Sequence, residues 1–373
     1  MRSNRLVLAA ILLIGAMLRF SGLDWSVDPQ TGEFHRFHPD EATLVDSATW
    51  LGKDITQVKS AYGVIPVYIL YAAGHASGLI FDFEPFEASD PRSEKLTFLT
   101  ARVLSAGLGT ATIFLVFLIG HRAGGVGIGI MAAALIAVSP GHIQQCHFYT
   151  LDASLAFWTT LALYLILLTP TRRWWVHALI GAVVGIAGGY RFVAAFLAFP
   201  YIAAQLWHPG DGTLQEGLSH LRSRLRRLIS LPTLACGLIA GIVALVATPT
   251  LLIDPDSFFS LADQRNFIPS VDVATGKALR LWNLYDFTTT PYLFYLTDLF
   301  PAALGTVTAL AALAGLVAFG FKPSRVLAIL LAWAVAYFLM TGGLFTKPIR
   351  YTTPLLAILC CLAAHAWVLC FRV

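Results

Sequence analysis

Charged side chains are scarce in this sequence: Asp, Glu, Lys and Arg together make up 12% of its 373 residues, against 57% hydrophobic residues, with a mean hydropathy of +0.72. That shortage excludes a soluble globule with a solvated surface, and the apolar runs near 20 residues match the length an α-helix needs to cross a bilayer. Alternation of the β-barrel kind is missing, so the chain reads as an all-α polytopic membrane protein. Its five cysteines (Cys146, Cys236, Cys360, Cys361 and Cys370) lie in or beside apolar runs and lack disulfide or metal spacing. There is no Gly-Lys-Ser phosphate loop, dinucleotide glycine pattern or internal repeat, which argues against nucleotide hydrolysis as an energy source in this chain. No small-residue cleavage site follows the run Leu6 to Leu18, so that segment is read as a retained helix.

What is present is a series of apolar runs at roughly 5–23, 97–119, 124–140, 153–169, 174–189, 190–207, 231–252, 291–320, 325–341 and 351–371, about ten crossings by the ~20-residue rule. The segment Tyr62 to Phe81 is apolar but broken by Pro66, Gly74, His75 and Gly78, and is placed as an interfacial or re-entrant helix. With the N-terminus inside, the inner segments hold Arg2, Arg5, Arg122, Arg172, Arg173, Arg222, Arg224, Arg226, Arg227, Lys322, Arg325 and Arg372, a positive-inside pattern. All but two of the 21 acidic residues, Asp211 and Glu216, then fall outside or at outer helix ends. The chain is one transmembrane domain, 1–373, with two long outer loops at 24–96 and 253–290, where function is expected to concentrate. Trp25, Trp50, Trp207 and Trp282 flank helix ends as an aromatic belt does. Gly181-x3-Gly185-x3-Gly189 and Gly237-x3-Gly241 are read as close-packing faces.

The chemistry-bearing residues cluster in the first outer loop, in Phe37-His38-Pro39-Asp40-Glu41. Pro39 disfavours helix at His38 and can open one at Asp40, so either carboxylate can serve a helix N-terminus, while together with His35, Arg36 and His38 the pair can supply a general base. His35 and His38 are alternatively donors, with Glu41, for a divalent metal. Asp152, at the end of Cys146-His147-Phe148-Tyr149-Thr150-Leu151-Asp152, reads equally as a helix N-cap or as a second outward carboxylate. Arg102, Arg191 and Arg350 sit within or at the ends of apolar runs, where an unpaired charge is costly. Arg102 is open to a structural ion pair or a ligand, and Arg191 and Arg350, with Lys347 nearby, to snorkelling or anion binding.

These residues resemble the GT-C class of integral membrane glycosyltransferases, specifically bacterial relatives of the protein O-mannosyltransferases and lipid A aminoarabinose transferases. The resemblance covers nearly the whole chain. It is carried by Phe37 to Glu41, Arg102-Val103-Leu104-Ser105, Ser139-Pro140 through Asp152, and Phe345 to Pro354 with Arg350-Tyr351-x2-Pro354; Pro249 to Phe258 and Thr290 to Tyr295 support it. Two departures are Arg191, where the family often has Lys, and length, since members often continue through more helices or an outer domain. The resemblance implies a GT-C bundle with interfacial helices in its first outer loop. Its implied reaction moves a sugar from a polyprenyl-phosphate donor to a hydroxyl on a protein, lipid or glycan acceptor, by inverting displacement. The implied setting is the outer face of a bacterial inner membrane, among membrane lipids, with no nucleic acid partner. In that reading Asp40 is the base, Glu41 positions substrate or base, Asp152 assists at the acceptor, Arg191 and Arg350 with Lys347 hold the lipid phosphate, and Tyr62 to Phe81 lines the prenyl groove. The residues themselves leave a divalent metal through His38 and His35 as the one cofactor candidate. The rival reading is a multi-pass transporter or lipid flippase, which intramembrane arginines also mark.

Overall fold

A computed structural model of the chain describes residues 2–58, 63–169, 173–207, 221–261, 267–321 and 323–370. Among them the structure is helical, the one β interaction being an isolated bridge between Val27 and Phe34. In chain order the elements are α1 (Arg2–Phe20), α2 (Pro39–Leu51), α3 (Ile65–Phe81), α4 (Pro91–Gly124), α5 (Val126–Ala137), α6 (Pro140–Cys146), α7 (Leu151–Ile166) and α8 (Trp174–Gly188). A 3-10 segment, Phe192–Leu197, leads into α9 (Ala198–Leu206), followed by α10 (Leu221–Leu228) and α11 (Leu231–Val246). Short helices at Thr250–Ile253, Pro255–Phe259 and Phe267–Thr275 and a 3-10 segment, Leu281–Thr288, come before α12 (Phe300–Leu304), α13 (Thr306–Phe321), α14 (Arg325–Thr341) and α15 (Thr353–Cys370).

Among the described residues three helical stretches, Ser3–Phe20, Pro91–Gly124 and Ile349–Trp367, are long and apolar enough to cross a bilayer. The remaining apolar runs form shorter helices or bent pairs. The run expected as one crossing at 291–320 is broken: Tyr295–Leu304 and Thr306–Phe321 meet at 119°, at Gly305, whose φ of +82° a side-chain-bearing residue rarely adopts. The 124–140 run likewise bends by 60° between α5 and α6, with Ser139 and Pro140 at the break. α15 is the axis of the bundle, packed on α4, α5, α7 and α13. Its span is 72% buried, whereas that of α1 at the periphery is 11% buried.

α4 begins six residues before the expected 97. Asp90 caps it, accepting from the Arg92 and Ser93 amides, and Pro91 occupies the first helical position, where its missing N–H costs nothing. At 34 residues it runs about 51 Å, longer than a ~30 Å hydrocarbon core, so its first turns stand beside α2 and α3, the helices of the first long loop. Arg172, Lys322, Arg372, Asp211, Glu216 and Tyr62 lie outside the described residues. The four described cysteine side chains are free and buried.

The glycine stripes divide in two. A Cβ on Gly181 would collide with the Cys236 carbonyl, and one on Gly185 would stand 2.6 Å from Val243 Cβ, so this stripe does seat α8 on α11. Gly237 and Gly241, expected to pack likewise, face open space and line an apolar cavity of about 390 Å3 between α8, α9 and α11. Gly185→Leu is therefore expected to cost about 1–3 kcal/mol by overpacking, and Gly241→Leu to leave stability nearly unchanged, in thermal unfolding of the detergent-solubilised protein.

Candidate active site

The site is built on adjacent residues that a helix turns apart. Pro39 opens α2 with His38 as its N-cap residue, putting Asp40 and Glu41 in the first turn. Neighbours on an α-helix point about 100° apart, and the two carboxylates accordingly enter different surroundings. Glu41 is 1% exposed. Its Oε1 and Oε2 accept from Arg102 Nε at 2.9 Å and Nη2 at 2.8 Å, and Oε1 also accepts from the Tyr149 amide at 3.1 Å. Arg102 is completed by the Leu23 carbonyl and Ser26 Oγ, each at 2.8 Å from Nη1, with the Trp25 ring 4.7 Å from its guanidinium carbon. Of the two readings of Arg102, the structural ion pair is the one found. Glu41 is walled off from any substrate, which removes direct substrate positioning from its expected roles. Trp25, expected only as a belt residue, covers this pair.

Asp40 instead pairs with Arg350, which stands in a 3-10 turn, Ile349–Thr352, leading into α15. Arg350 Nε also lies 4.0 Å from Asp152 Oδ2, and Arg191 Nη2 lies 3.4 Å from Asp152 Oδ1. Four elements distant in sequence thus bring two carboxylates and two guanidiniums into one formally neutral quartet. The arginines are its accessible members, with side chains 29% (Arg350) and 25% (Arg191) exposed; Asp40 is 14% and Asp152 only 3%. Asp152 is in the first turn of α7, but the N-cap residue is Thr150. It is buried against both arginines, the less exposed of the two carboxylates. Tyr351, which the motif included without a function, carries the Arg191 guanidinium 5.1 Å from its ring centroid.

His38 is half-buried against Phe148, ring to ring at 4.6 Å, and its Nδ1 has no hydrogen-bond partner. Burial depresses its pKa against the opposing pull of Asp40 and Glu41, which keeps the imidazole neutral at neutral pH. His35 is exposed and packs on Phe37 at 5.5 Å. Lys347 is buried, its Nζ donating to the Phe345 carbonyl at 2.7 Å and its amide to Asp286 Oδ1 at 3.1 Å. Burial lowers its pKa, against the Asp286 carboxylate. Its ammonium is thus engaged outside the quartet. A metal on His35, His38 and Glu41 does not fit, because both Glu41 oxygens are taken by Arg102 and, among the described residues, no three His, Cys, Asp or Glu side chains come together.

Beside Arg191, Phe192 opens the apolar cavity noted above, whose lining continues through Tyr201, Cys236, Gly237 and Gly241. The groove expected along Tyr62 to Phe81 is not this cavity, whose described lining comes from other helices. Sequence reading missed it because a glycine facing space and a glycine facing a helix look alike in a sequence.

Glu41→Ala is expected to destabilise the protein by about 3–5 kcal/mol, since it strands a buried guanidinium. Adding Arg102→Met should recover part of that loss in thermal unfolding; a single mutant as stable as wild type would contradict the arrangement.

The family model described as dolichyl-phosphate-mannose-protein mannosyltransferase matches residues 84–246. No curated protein sequence matches the chain. Among solved structures, ArnT from Cupriavidus metallidurans bound to undecaprenyl phosphate aligns with a TM-score of 0.66 at 16% identity, over 96% of this chain and 59% of that one. The oligosaccharyltransferase AglB from Archaeoglobus fulgidus, with an inhibitory peptide and a dolichol-phosphate, aligns with a TM-score of 0.59 at 17% identity, over 99% and 50%. A second structure of the Archaeoglobus enzyme, with Zn and sulfate, gives 0.57 at 18% identity, over 98% and 49%. The chain spans roughly half the length of these relatives. The family match takes in the part of the resemblance from Arg102 to Asp152, and the architecture is shared across nearly the whole chain: this integral membrane protein has the fold of the GT-C glycosyltransferases.

Proposed function

We propose that the protein is a membrane glycosyltransferase that moves a sugar from a polyprenyl-phosphate carrier to a hydroxyl acceptor at the outer face of the membrane. The observation that carries this reading is the Asp40, Asp152, Arg191 and Arg350 quartet beside an apolar cavity. A lipid phosphate is a leaving group that departs as a stabilised anion and needs cations rather than a protonating acid. Arg191 and Arg350 are the reachable cations, and planar guanidiniums suit a phosphate's oxygens. The family match and the lipid phosphates bound in the ArnT and AglB structures support the same reading.

In the reaction the acceptor oxygen attacks the anomeric carbon from the face opposite the phosphate, forming the new glycosidic bond. The bond from that carbon to the phosphate oxygen breaks, its electron pair stays on the phosphate, and the acceptor proton passes to Asp40. One displacement inverts the anomeric centre. Asp40 neutralises Arg350; an arriving phosphate competes for that guanidinium, freeing the carboxylate for the proton when the substrate is seated. Asp152 keeps both arginines aimed, Tyr351 supports Arg191, and Glu41 fixes α2 through Arg102. Lys347 lends its positive charge to the neighbourhood without entering the quartet, and no step passes through a metal. The apolar cavity starting at Phe192 takes the first isoprene units.

Two measurements test this. Purified, lipid-reconstituted protein with a panel of polyprenyl-phosphate sugars and a membrane extract as acceptor is expected to transfer sugar, and Asp40→Asn to lose about 10²-fold or more in rate while binding polyprenyl phosphate at least as tightly. Donor lipid moved across the bilayer without transfer would overturn the reading in favour of a transporter. Arg350→Ala and Gly241→Leu are both expected to weaken polyprenyl-phosphate binding, the first through the phosphate and the second by filling the cavity. Retained affinity in Gly241→Leu would remove the cavity from the carrier's path.

A further inference from the structure

At the opposite end of the bundle is a second cavity, of about 600 Å3, lined by Leu118, His121, Arg122, Tyr164, Arg325 and Val326 among others. α7 connects the two ends: Asp152 is in its first turn and Tyr164 in its last, twelve residues or about 18 Å further on. The cavity is therefore separate from the quartet. Its described lining holds three basic side chains and no carboxylate.

Helix ends explain part of this charge. His121 and Arg122 occupy the last turn of α4, where the carbonyl ends present about half a negative charge. Arg325 is tied to the end of α9, Nε donating to the Trp207 carbonyl at 2.6 Å and Nη2 to Ala204 at 3.3 Å. It serves as a fixed wall and α14's anchor to α9. Arg122 has a different setting. It is exposed, with its guanidinium carbon 5.6 Å from the centroid of the Tyr164 ring, a cation–π contact that holds it at the cavity.

An apolar track leads away from these cations. The His121 ring stacks on Phe117 at 6.0 Å and Phe117 on Phe114 at 6.3 Å, the i, i+4 and i, i+3 spacings of one α4 face, and Phe114 is 43% exposed on the apolar flank of the bundle. A phosphate at Arg122 would thus continue into a hydrocarbon tail along α4. This geometry favours a lipid headgroup over a free phosphate ion.

We infer that the cavity between α4, α7 and α14 binds the phosphate of an anionic phospholipid, through Arg122 and His121 against the Arg325 wall, with an acyl chain along Phe117 and Phe114. The site is distinct from the donor site and does not depend on the glycosyltransferase reading. It accounts for a basic cavity at the end of the bundle that also carries Arg173 and the basic helix α10, the end where cytoplasmic anionic lipids meet Lys and Arg.

The test is native mass spectrometry of the intact protein released from phosphatidylcholine nanodiscs containing added phosphatidylglycerol. Arg122→Gln is expected to retain phosphatidylglycerol about fivefold less than wild type, the effect of one basic residue at an anionic surface, and His121→Gln to shift retention the same way. Arg226→Gln, on the exposed face of α10 away from the cavity lining, should stay near wild type. Equal losses in Arg122→Gln and Arg226→Gln would overturn the site in favour of general surface attraction. A thermal stabilisation by inorganic phosphate alone, in pure phosphatidylcholine, matching that by phosphatidylglycerol would overturn the lipid and leave a free-anion site.

Discussion

The Glu41 to Arg102 ion pair is the constraint on which the rest of the site depends. It joins the first turn of α2 to the protruding part of α4, and through the Leu23 carbonyl, Ser26 and the Tyr149 amide it also fixes the chain leaving α1 and the chain entering α7. Two charges withdrawn from water this completely are held only when nearly every lone pair and proton finds a partner. Here the bidentate carboxylate, the carbonyl, the hydroxyl and the Trp25 face meet that demand. The pair contributes less as a source of net stability than as a register: with Glu41 locked, its neighbour Asp40 has one direction to face. The candidate base is thus placed by the residue after it.

The quartet follows a different electrostatic rule. Its charges cancel among themselves, so the half-buried site carries no unbalanced charge in a medium where one is expensive. Its accessible members are the cations, and its carboxylates sit lower. An anion can therefore reach the guanidiniums without crossing a negative rim, and exchange one carboxylate contact for a phosphate contact.

Much of this was legible in the chain. Apolar length gave the helices, and Asp40, Asp152, Arg191 and Arg350 were separately marked as charges at outer helix ends. Their convergence was not readable, because the four lie on segments whose packing no local pattern encodes. Division of labour within Asp40-Glu41 was also hidden, since a helix start is visible in Pro39 but its rotation about the axis is set by Arg102, some sixty residues on. The Asp90-Pro91 signature would have placed the start of α4 correctly; the apolar hydropathy beyond it drew attention to the buried part only. Gly305 reads in sequence as one more small residue in a long apolar run, and only its positive φ reveals the turn. Lys347, expected to join Arg191 and Arg350 at a phosphate, stands outside the quartet for a similar reason: proximity in sequence to Arg350 says nothing about which carbonyl its ammonium will meet.

Arg19 sets an order of assembly. It is fully buried and held by the Ile136 and Ala137 carbonyls at 2.9 and 3.0 Å, at the break between α5 and α6, and by His142 Nδ1 at 3.0 Å. Those partners are made more than a hundred residues later. During synthesis α1 enters the membrane with a guanidinium that has only the Gly15 carbonyl, one turn back, among its final acceptors, and a position one residue from the helix end lets that charge reach the headgroups in the meantime. α1 packs on α4 as well as on α5, but the charge it carries is fully partnered only once the broken end of α5 is in place, so the first helix made is among the last to have its buried charge satisfied.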